Sequence, residues 1–130
     1  NRILNFKIDS GSETELNDKI LNQNYKFDII VEDAGHYLKD QIISLFILFK
    51  AVKSKGLFVI EELDFPNKRK DMNLLNEKPT LKDILKLIKE NKDFNSKYIT
   101  DEQKKYFLDH VEEINIFKGT SHEIAFISKK

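Results

Sequence analysis

Two acidic segments in the first half of the chain each follow a run of apolar residues. Asp33 follows the first run and is itself followed by His36, whereas Glu61 and Glu62 come directly after the second. One acidic strand end is unremarkable. Two such endings in one small chain indicate that both meet around a positively charged group.

Composition limits what that group can be. The chain has 130 residues, which is the length of one domain with a real core. It contains no cysteine, so disulfides and thiolate chemistry are excluded, and a metal would be held by oxygen or imidazole. The 22 basic and 22 acidic residues cancel, which argues against nucleic acid or an anionic membrane as partner. No apolar stretch approaches the ~20 residues needed to span a bilayer, no leader pattern is visible, and we expect a cytoplasmic protein.

Each candidate residue also has an ordinary structural interpretation. His36 could be a histidine at a helix entrance, satisfied by the backbone. Asp33 could be the N-terminal cap of the following helix, which also explains an acid at this place. Glu61 and Glu62 could form a solvated strand exit. The combination favours a metal site, although capping and ligation can coexist.

The elements that would position these residues can be predicted from periodicity. Continuous apolar runs predict three strands, Ile3–Ile8, Phe27–Val31 and Leu57–Ile60. Such runs are typical of parallel strands that are covered by helices on both faces. The expected fold is therefore an α/β, Rossmann-like, mostly parallel sheet. Its ligands would bind beyond the carboxyl ends of the strands, where Asp9 and Glu32 would join the acids already named.

The remaining segments predict helices and a hairpin. A helix with a wide apolar face begins at Leu38, and Gly56 is suited to a left-handed turn after it. Pro79 and Thr80 open a further helix, and capping-box patterns open two more, at Ser12 and Thr100. The last segment predicts an antiparallel hairpin over about residues 113–128.

Residues 27–64, FDIIVEDAGHYLKDQIISLFILFKAVKSKGLFVIEELD, resemble the core of class I S-adenosylmethionine-dependent O-methyltransferases that modify sugars. They are most similar to the metal-dependent macrocin/mycinamicin type of deoxysugar methyltransferase. The similarity is carried by the strand end Ile29–His36, the pair Gln41-Ile42 and the segment Lys55–Leu63. It implies a partial class I methyltransferase fold with a C-terminal antiparallel hairpin.

The resemblance also implies roles for individual residues. His36 matches the histidine that takes the acceptor hydroxyl proton. Three acids match the metal ligands of the family: Asp33, Glu61 and Glu62. Cofactor binding falls to three residues: Asp9, near the adenine, Ser10 and Glu32. Two departures are visible, because Glu62 replaces an aspartate and Ala34-Gly35 replaces Gly-Ser.

The implied reaction is methyl transfer from S-adenosylmethionine to a hydroxyl of a sugar or a sugar-containing small molecule. The hydroxyl must lose its proton as the methyl arrives. A histidine can accept that proton, and Mg²⁺ or Mn²⁺ can lower the hydroxyl pKa.

The Gly-rich cofactor loop of the family has no counterpart, because the chain has four glycines and no G-x-G pattern. Residues 1–130 are therefore expected to be one domain, the C-terminal part of a methyltransferase domain. A non-catalytic, methyltransferase-like remnant or a partner-binding domain is the alternative. The missing strands would leave one sheet edge unpaired, so we expect a homo-oligomer.

Two other polar groups have simpler interpretations. The basic run Lys68-Arg69-Lys70 is predicted to be a solvated loop, with contact to a substrate phosphate as the less favoured alternative. His110 and His122 are predicted to be ordinary surface histidines.

Overall fold

A computed structural model describes residues 2–130. One four-stranded sheet and five helices form the fold. The strands are β1 (Phe27–Glu32), β2 (Val52–Ile60), β3 (Val111–Lys118) and β4 (Glu123–Lys129). The helices are α1 (Glu13–Leu16), α2 (Leu38–Leu48), α3 (Phe65–Lys68), α4 (Leu81–Lys89) and α5 (Asp101–His110). A π-helical turn (Asn17–Leu21) extends α1, and short 3₁₀ turns occupy Phe49–Ala51 and Lys70–Met72.

The strand order is β1-β2-β4-β3. β1 pairs with β2 in parallel, whereas β4 is antiparallel to both β2 and β3. The α/β class and the C-terminal hairpin are thus confirmed. Within the described residues only one of the three pairings is parallel, because the hairpin supplies half of the strands.

The main core lies between one face of the sheet and helices α2, α4 and α5. Paired neighbours in the sheet point to the same side, so β1, β2 and β4 contribute one continuous apolar face. Its central residues are fully buried: Phe58, Ile60, Ala125 and Ile127. From the helices, Phe46 and Phe107 pack against each other with ring centroids 4.9 Å apart.

The prediction of a strand at Ile3–Ile8 is wrong. The segment has no regular structure, and Ile3 and Leu4 are 75% and 63% exposed. A strand needs a neighbour for its backbone hydrogen bonds, and this segment instead lies along α1 and its extension. Lys19 Nζ donates to the Lys7 carbonyl at 2.7 Å there.

The prediction that Gly56 forms a left-handed turn is also wrong. The left-handed residue is Lys55, with φ of 63°, and Gly56 lies within β2. A Cβ at Gly56 would lie 2.8 Å from the carbonyl oxygens of Asp28 and Lys53. Close approach of the backbone, and not a positive φ, therefore requires glycine here.

Side-chain caps fix the start of three helices. Thr80 and Thr100 each form a complete capping box, with Asp83 and Gln103 as the reciprocal partners. At α1, Ser12 accepts from the Glu15 amide, but the Glu15 carboxylate turns to the Asp9 amide instead. None of the helices within residues 2–130 combines the length and apolarity required to cross a bilayer.

β1 is an edge strand with an exposed apolar side. Ile29 and Val31, on the face opposite the main core, are 60% and 55% exposed. Among residues 2–130, nothing covers this part of the second face. The apolar run of β1 predicts instead that both of its faces are covered. We expect the protein to self-associate through this strand, because open apolar edges promote pairing. Light scattering across a concentration series should show a mass above the monomer, and a monomeric mass at high concentration would contradict it.

Candidate active site

The parallel pairing of β1 and β2 brings both acidic strand ends to one edge of the sheet. Glu32 is opposite Ile60 in the register, and the Glu61 amide donates to the Glu32 carbonyl at 3.0 Å. The residues that follow each strand therefore leave the sheet side by side. This edge is where open α/β sheets bind their ligands.

Asp33, His36 and Glu62 converge at this edge. One ligand atom from each lies within 4.8 Å of the other two, and no other group of three such residues occurs in the described part of the chain. His36 Nε2 lies 2.6 Å from Glu62 Oε2 and 3.6 Å from Asp33 Oδ1. Two carboxylates and one imidazole thus face a common space.

The local backbone directs two of these side chains inward. His36 and Glu62 have φ values of 59° and 51°, in the left-handed region that non-glycine residues rarely adopt. Each costs about 1–3 kcal/mol and persists only where the surrounding structure enforces it. The His36 ring packs edge-on against Phe65, with centroids 5.5 Å apart. Strain of this kind is common at functional sites.

The contacts of His36 define its hydrogen-bonding state. Nε2 and Glu62 Oε2 are 2.6 Å apart, a hydrogen-bond distance, so these two atoms share one proton. Nδ1 is buried and has no partner among residues 2–130. Nε2 is therefore the ring atom that faces the two acids.

The capping interpretation of Asp33 does not fit the structure. Tyr37 is the N-terminal cap residue of α2, and no side chain caps this helix. Asp33 lies four residues earlier, with its side chain 58% exposed. Its carboxylate therefore remains available for a ligand.

The structure places Glu61 apart from this cluster. The sequence predicts that Asp33, Glu61 and Glu62 converge, whereas the group contains His36 as its third member and does not include Glu61. Glu61 is half-buried at the end of β2. Its role as a metal ligand stays a prediction.

Gln41 belongs to a pair that carries the family resemblance, but the sequence analysis predicts no role for it. It is fully buried in the first turn of α2, and its Nε2 donates to the Glu62 carbonyl at 3.2 Å. This bond supports the left-handed turn that aims Glu62 at His36. The signal in the sequence that could have indicated this role is the presence of a polar residue inside the apolar run of α2.

The predicted cofactor residues Ser10 and Glu32 line one cavity of about 280 Å³, together with Asp33. Glu32 Oε1 accepts from the Ala34 amide at 3.0 Å, and Oε2 has no partner among residues 2–130. Burial raises the pKa of Glu32, partly offset by that hydrogen bond. A buried carboxylate with one free oxygen could accept a hydrogen bond from a ligand.

Asp9 organises the neighbouring loop. Its Oδ1 accepts from the Gly11 amide at 2.9 Å. Gly11 in turn packs against Asp40 of α2, since a Cβ at this glycine would lie 2.1 Å from Asp40 Oδ1. Burial raises the pKa of Asp40, and the charge of Asp9 raises it further. Asp40 is a further acid at this edge, and the sequence analysis does not name it.

An apolar cavity of about 350 Å³ adjoins this loop. Ser10 lines it as well as the cavity around Glu32. Its other walls are hydrophobic: Ile8, Leu16, Ile20, Phe27, Ile29, Ile30 and Leu48. The candidate cofactor edge thus offers polar and apolar space side by side.

No protein-family model and no curated protein matches this chain. Solved structures do match it. The MycE methyltransferase from the mycinamycin biosynthetic pathway, in complex with Mg and SAH, has a TM-score of 0.70 and 22% identity over 95% of this chain. The complex of MycE with Mg, SAH and mycinamycin VI gives a TM-score of 0.71 and 21% identity, also over 95% of this chain.

These similarities establish the fold of the chain, which is that of a region of MycE. The resemblance predicted from the sequence is confirmed at this level. The chain spans 31% of the length of MycE in each comparison.

Proposed function

We propose that this chain is the metal-binding and acceptor-binding part of an S-adenosylmethionine-dependent O-methyltransferase. The acceptor would be a hydroxyl of a sugar or a sugar-containing small molecule. The observation that carries the proposal is the convergence of Asp33, His36 and Glu62 at the carboxyl edge of β1 and β2. The fold shared with a methyltransferase solved with Mg and SAH supports it.

The donor set fits a hard divalent cation. Asp33 and Glu62 would hold Mg²⁺ or Mn²⁺ through carboxylate oxygens, whereas Glu61, adjacent to Glu62 in the sequence, lies outside their cluster. Two acids this close repel each other unless a cation or proton neutralises them. When bound, the ion would lower the pKa of the acceptor hydroxyl.

His36 is the proposed proton acceptor, acting through Nε2, which would be free to take a proton when a bound cation occupies the Glu62 carboxylate. This atom faces the acidic cluster, whereas Nδ1 is turned into the protein. The edge contact with Phe65 holds the ring in place. A histidine is suited to the task because its pKa lies near neutral pH.

The cofactor would lie on the other side of β1. Ser10 and Glu32 would contact its polar groups in the smaller cavity, and the adjoining apolar cavity offers space for a flat ring. Asp9 would contact the adenine end of the cofactor from the loop that its hydrogen bond to the Gly11 amide holds in place. In this arrangement Asp33 borders both the cofactor cavity and the metal cluster.

The metal site can be tested by thermal unfolding. Mg²⁺ should raise the Tm of the wild-type chain, since a ligand that binds only the folded state stabilises it by mass action. Replacing Asp33 with asparagine should abolish this rise, because one of two charged ligands is lost. Titration with Mg²⁺ and Mn²⁺, followed by scanning fluorimetry or calorimetry, measures the effect.

Asp28→Asn is the matched control for that experiment. Asp28 lies in β1, the strand that precedes Asp33, but forms only a surface ion pair with Lys53, at 3.0 Å. Its loss should cost about 0–1 kcal/mol and leave the response to the ion unchanged. If Asp33→Asn responds to Mg²⁺ as the wild type does, the proposed metal site is wrong.

Cofactor binding to the isolated 130 residues should be weak. The Gly-rich loop that closes on the methionine part of the cofactor has no counterpart in this sequence, so those contacts are missing. Calorimetric titration with S-adenosylmethionine should give little or no heat of binding. A tight, stoichiometric isotherm would show that residues 2–26 do more for the cofactor than is proposed here.

A further inference from the structure

A second polar cavity lies beside the turn between β3 and β4. It has a volume of about 310 Å³, at the lower end of the ~300–1,000 Å³ typical of ligand pockets. Three lysines from different elements line it: Lys68 of α3, Lys82 of α4 and Lys118 at the end of β3. The turn adds two hydroxyl groups, from Thr120 and Ser121.

The charges in this cavity do not cancel. Lys68 pairs with Asp64 at 3.1 Å, and Lys82 pairs with Glu123. Lys118 has no carboxylate partner within the described residues. With both acids neutralised, the third ammonium group leaves a surplus positive charge beside a half-buried histidine, His122. This surplus charge is opposite in sign to that of the acidic cluster around Asp33 and Glu62.

The cavity wall is connected to the segment that follows the candidate metal cluster. The Glu123 amide donates to Asp64 Oδ1 at 2.9 Å, and the Leu63 amide donates to the Glu123 carbonyl at 2.9 Å. Lys68 Nζ also donates to the Ser121 carbonyl. Because these bonds fix the turn before any ligand arrives, little ordering cost remains for binding.

Phe65 joins the two sites. Its ring contacts His36 edge-on at a centroid distance of 5.5 Å and His122 at 6.4 Å with an interplanar angle of 88°. Two ring-to-ring steps therefore separate the proposed proton acceptor from the cavity of lysines. The acidic cluster and the lysine cavity therefore flank the same aromatic ring.

We propose that this cavity is an anion subsite that binds a phosphoryl group carried by the acceptor. The inference rests on the proposed function, and it narrows the acceptor to a phosphorylated sugar. Ammonium groups form strong charge-assisted hydrogen bonds with phosphate oxygens, and the turn hydroxyls supply further donors. The surplus positive charge, which Lys118 supplies, is opposite in sign to the charge of a phosphoryl group.

The subsite can be tested by nuclear magnetic resonance on the ¹⁵N-labelled chain. Glucose 1-phosphate, inorganic phosphate and glucose are titrated separately, in EDTA, so that no divalent ion can bind the phosphate. Glucose 1-phosphate should shift the amides of residues 119–122 in a saturable way and bind more tightly than inorganic phosphate. Glucose alone should shift none of them.

Two results would overturn the proposal. One is the absence of saturable shifts at residues 119–122 with glucose 1-phosphate. The other is equal affinity for inorganic phosphate, which would indicate a site for free phosphate unrelated to the acceptor. Because no divalent ion is present, this result is separate from that of the Mg²⁺ experiment.

Lys118→Ala should weaken glucose 1-phosphate binding by about tenfold or more, since a charge-assisted bond is lost. Lys118 is exposed, so the variant should fold. Lys89→Ala is the matched control, because Lys89 is also exposed but lies at the end of α4 and does not line the cavity. An unchanged affinity in Lys118→Ala, or an equal loss in Lys89→Ala, would contradict the assignment.

Discussion

In an enzyme that combines these residues with a full cofactor site, replacing His36 with alanine is expected to slow methyl transfer from S-adenosylmethionine to a sugar acceptor by about 10²–10⁴-fold, the usual contribution of a positioned general base. Nε2 is the only ring atom of His36 that faces the cluster, so its loss removes the proton acceptor. Stabilisation by Mg²⁺ should persist, because the carboxylates of Asp33 and Glu62 remain. The rate of transfer and the ion-dependent Tm are the two measurements.

The left-handed backbone at His36 calls for a second variant. Alanine at a φ of 59° is strained, so a slow reaction could arise from a distorted turn. Asparagine tolerates this conformation but cannot take up the proton. His36→Asn should therefore be as slow as His36→Ala. Free imidazole should partly restore the rate of the alanine variant, and near-normal transfer by the asparagine variant would exclude a general-base role.

Replacing Phe46 with alanine should lower the free energy of unfolding by about 3–5 kcal/mol. Phe46 is fully buried in α2 and packs against Phe107 of α5 and Phe94, at 4.9 and 6.1 Å between ring centroids. The substitution removes most of an aromatic side chain and leaves a cavity that the helices cannot fill. This loss is a large part of the 5–15 kcal/mol that stabilises a typical domain. Urea unfolding followed by circular dichroism measures it.

Phe117→Ala is the control for that loss. Phe117 of β3 also has an aromatic neighbour, Phe126, at 5.7 Å, but it is 56% exposed. Its removal should cost only about 0.5–1.5 kcal/mol, the contribution of an exposed aromatic pair. Comparable losses in the two variants would mean that α2 and α5 do not form the core described here.

The sequence alone determined the elements whose signals are local. Apolar runs and capping patterns identify β1, the core-facing helix α2, and the starts of α4 and α5, because these depend on neighbouring residues. The parallel pairing of the first two strands follows from their apolar character and the helix between them. That pairing brings Asp33, His36 and Glu62 to one edge, since parallel strands end on the same side of a sheet.

Features that depend on distant contacts were decided only by the tertiary structure. Ile3–Ile8 has the composition of a strand, but strand formation requires a neighbour that the segment does not reach. Glu61 and Glu62 are equivalent as residue types, and the left-handed backbone at Glu62, with support from Gln41, turns one of them toward His36.

The lysine cavity also depends on contacts between residues that are distant in the sequence. Lys68, Lys82 and Lys118 are far apart in the sequence, and each resembles an ordinary solvated lysine when taken alone. The folding of the β3–β4 turn onto the segment after β2 places them around one space. Charge clusters of this kind are not visible to a local pattern, because they arise from long-range packing of elements and not from the spacing of residues along the chain.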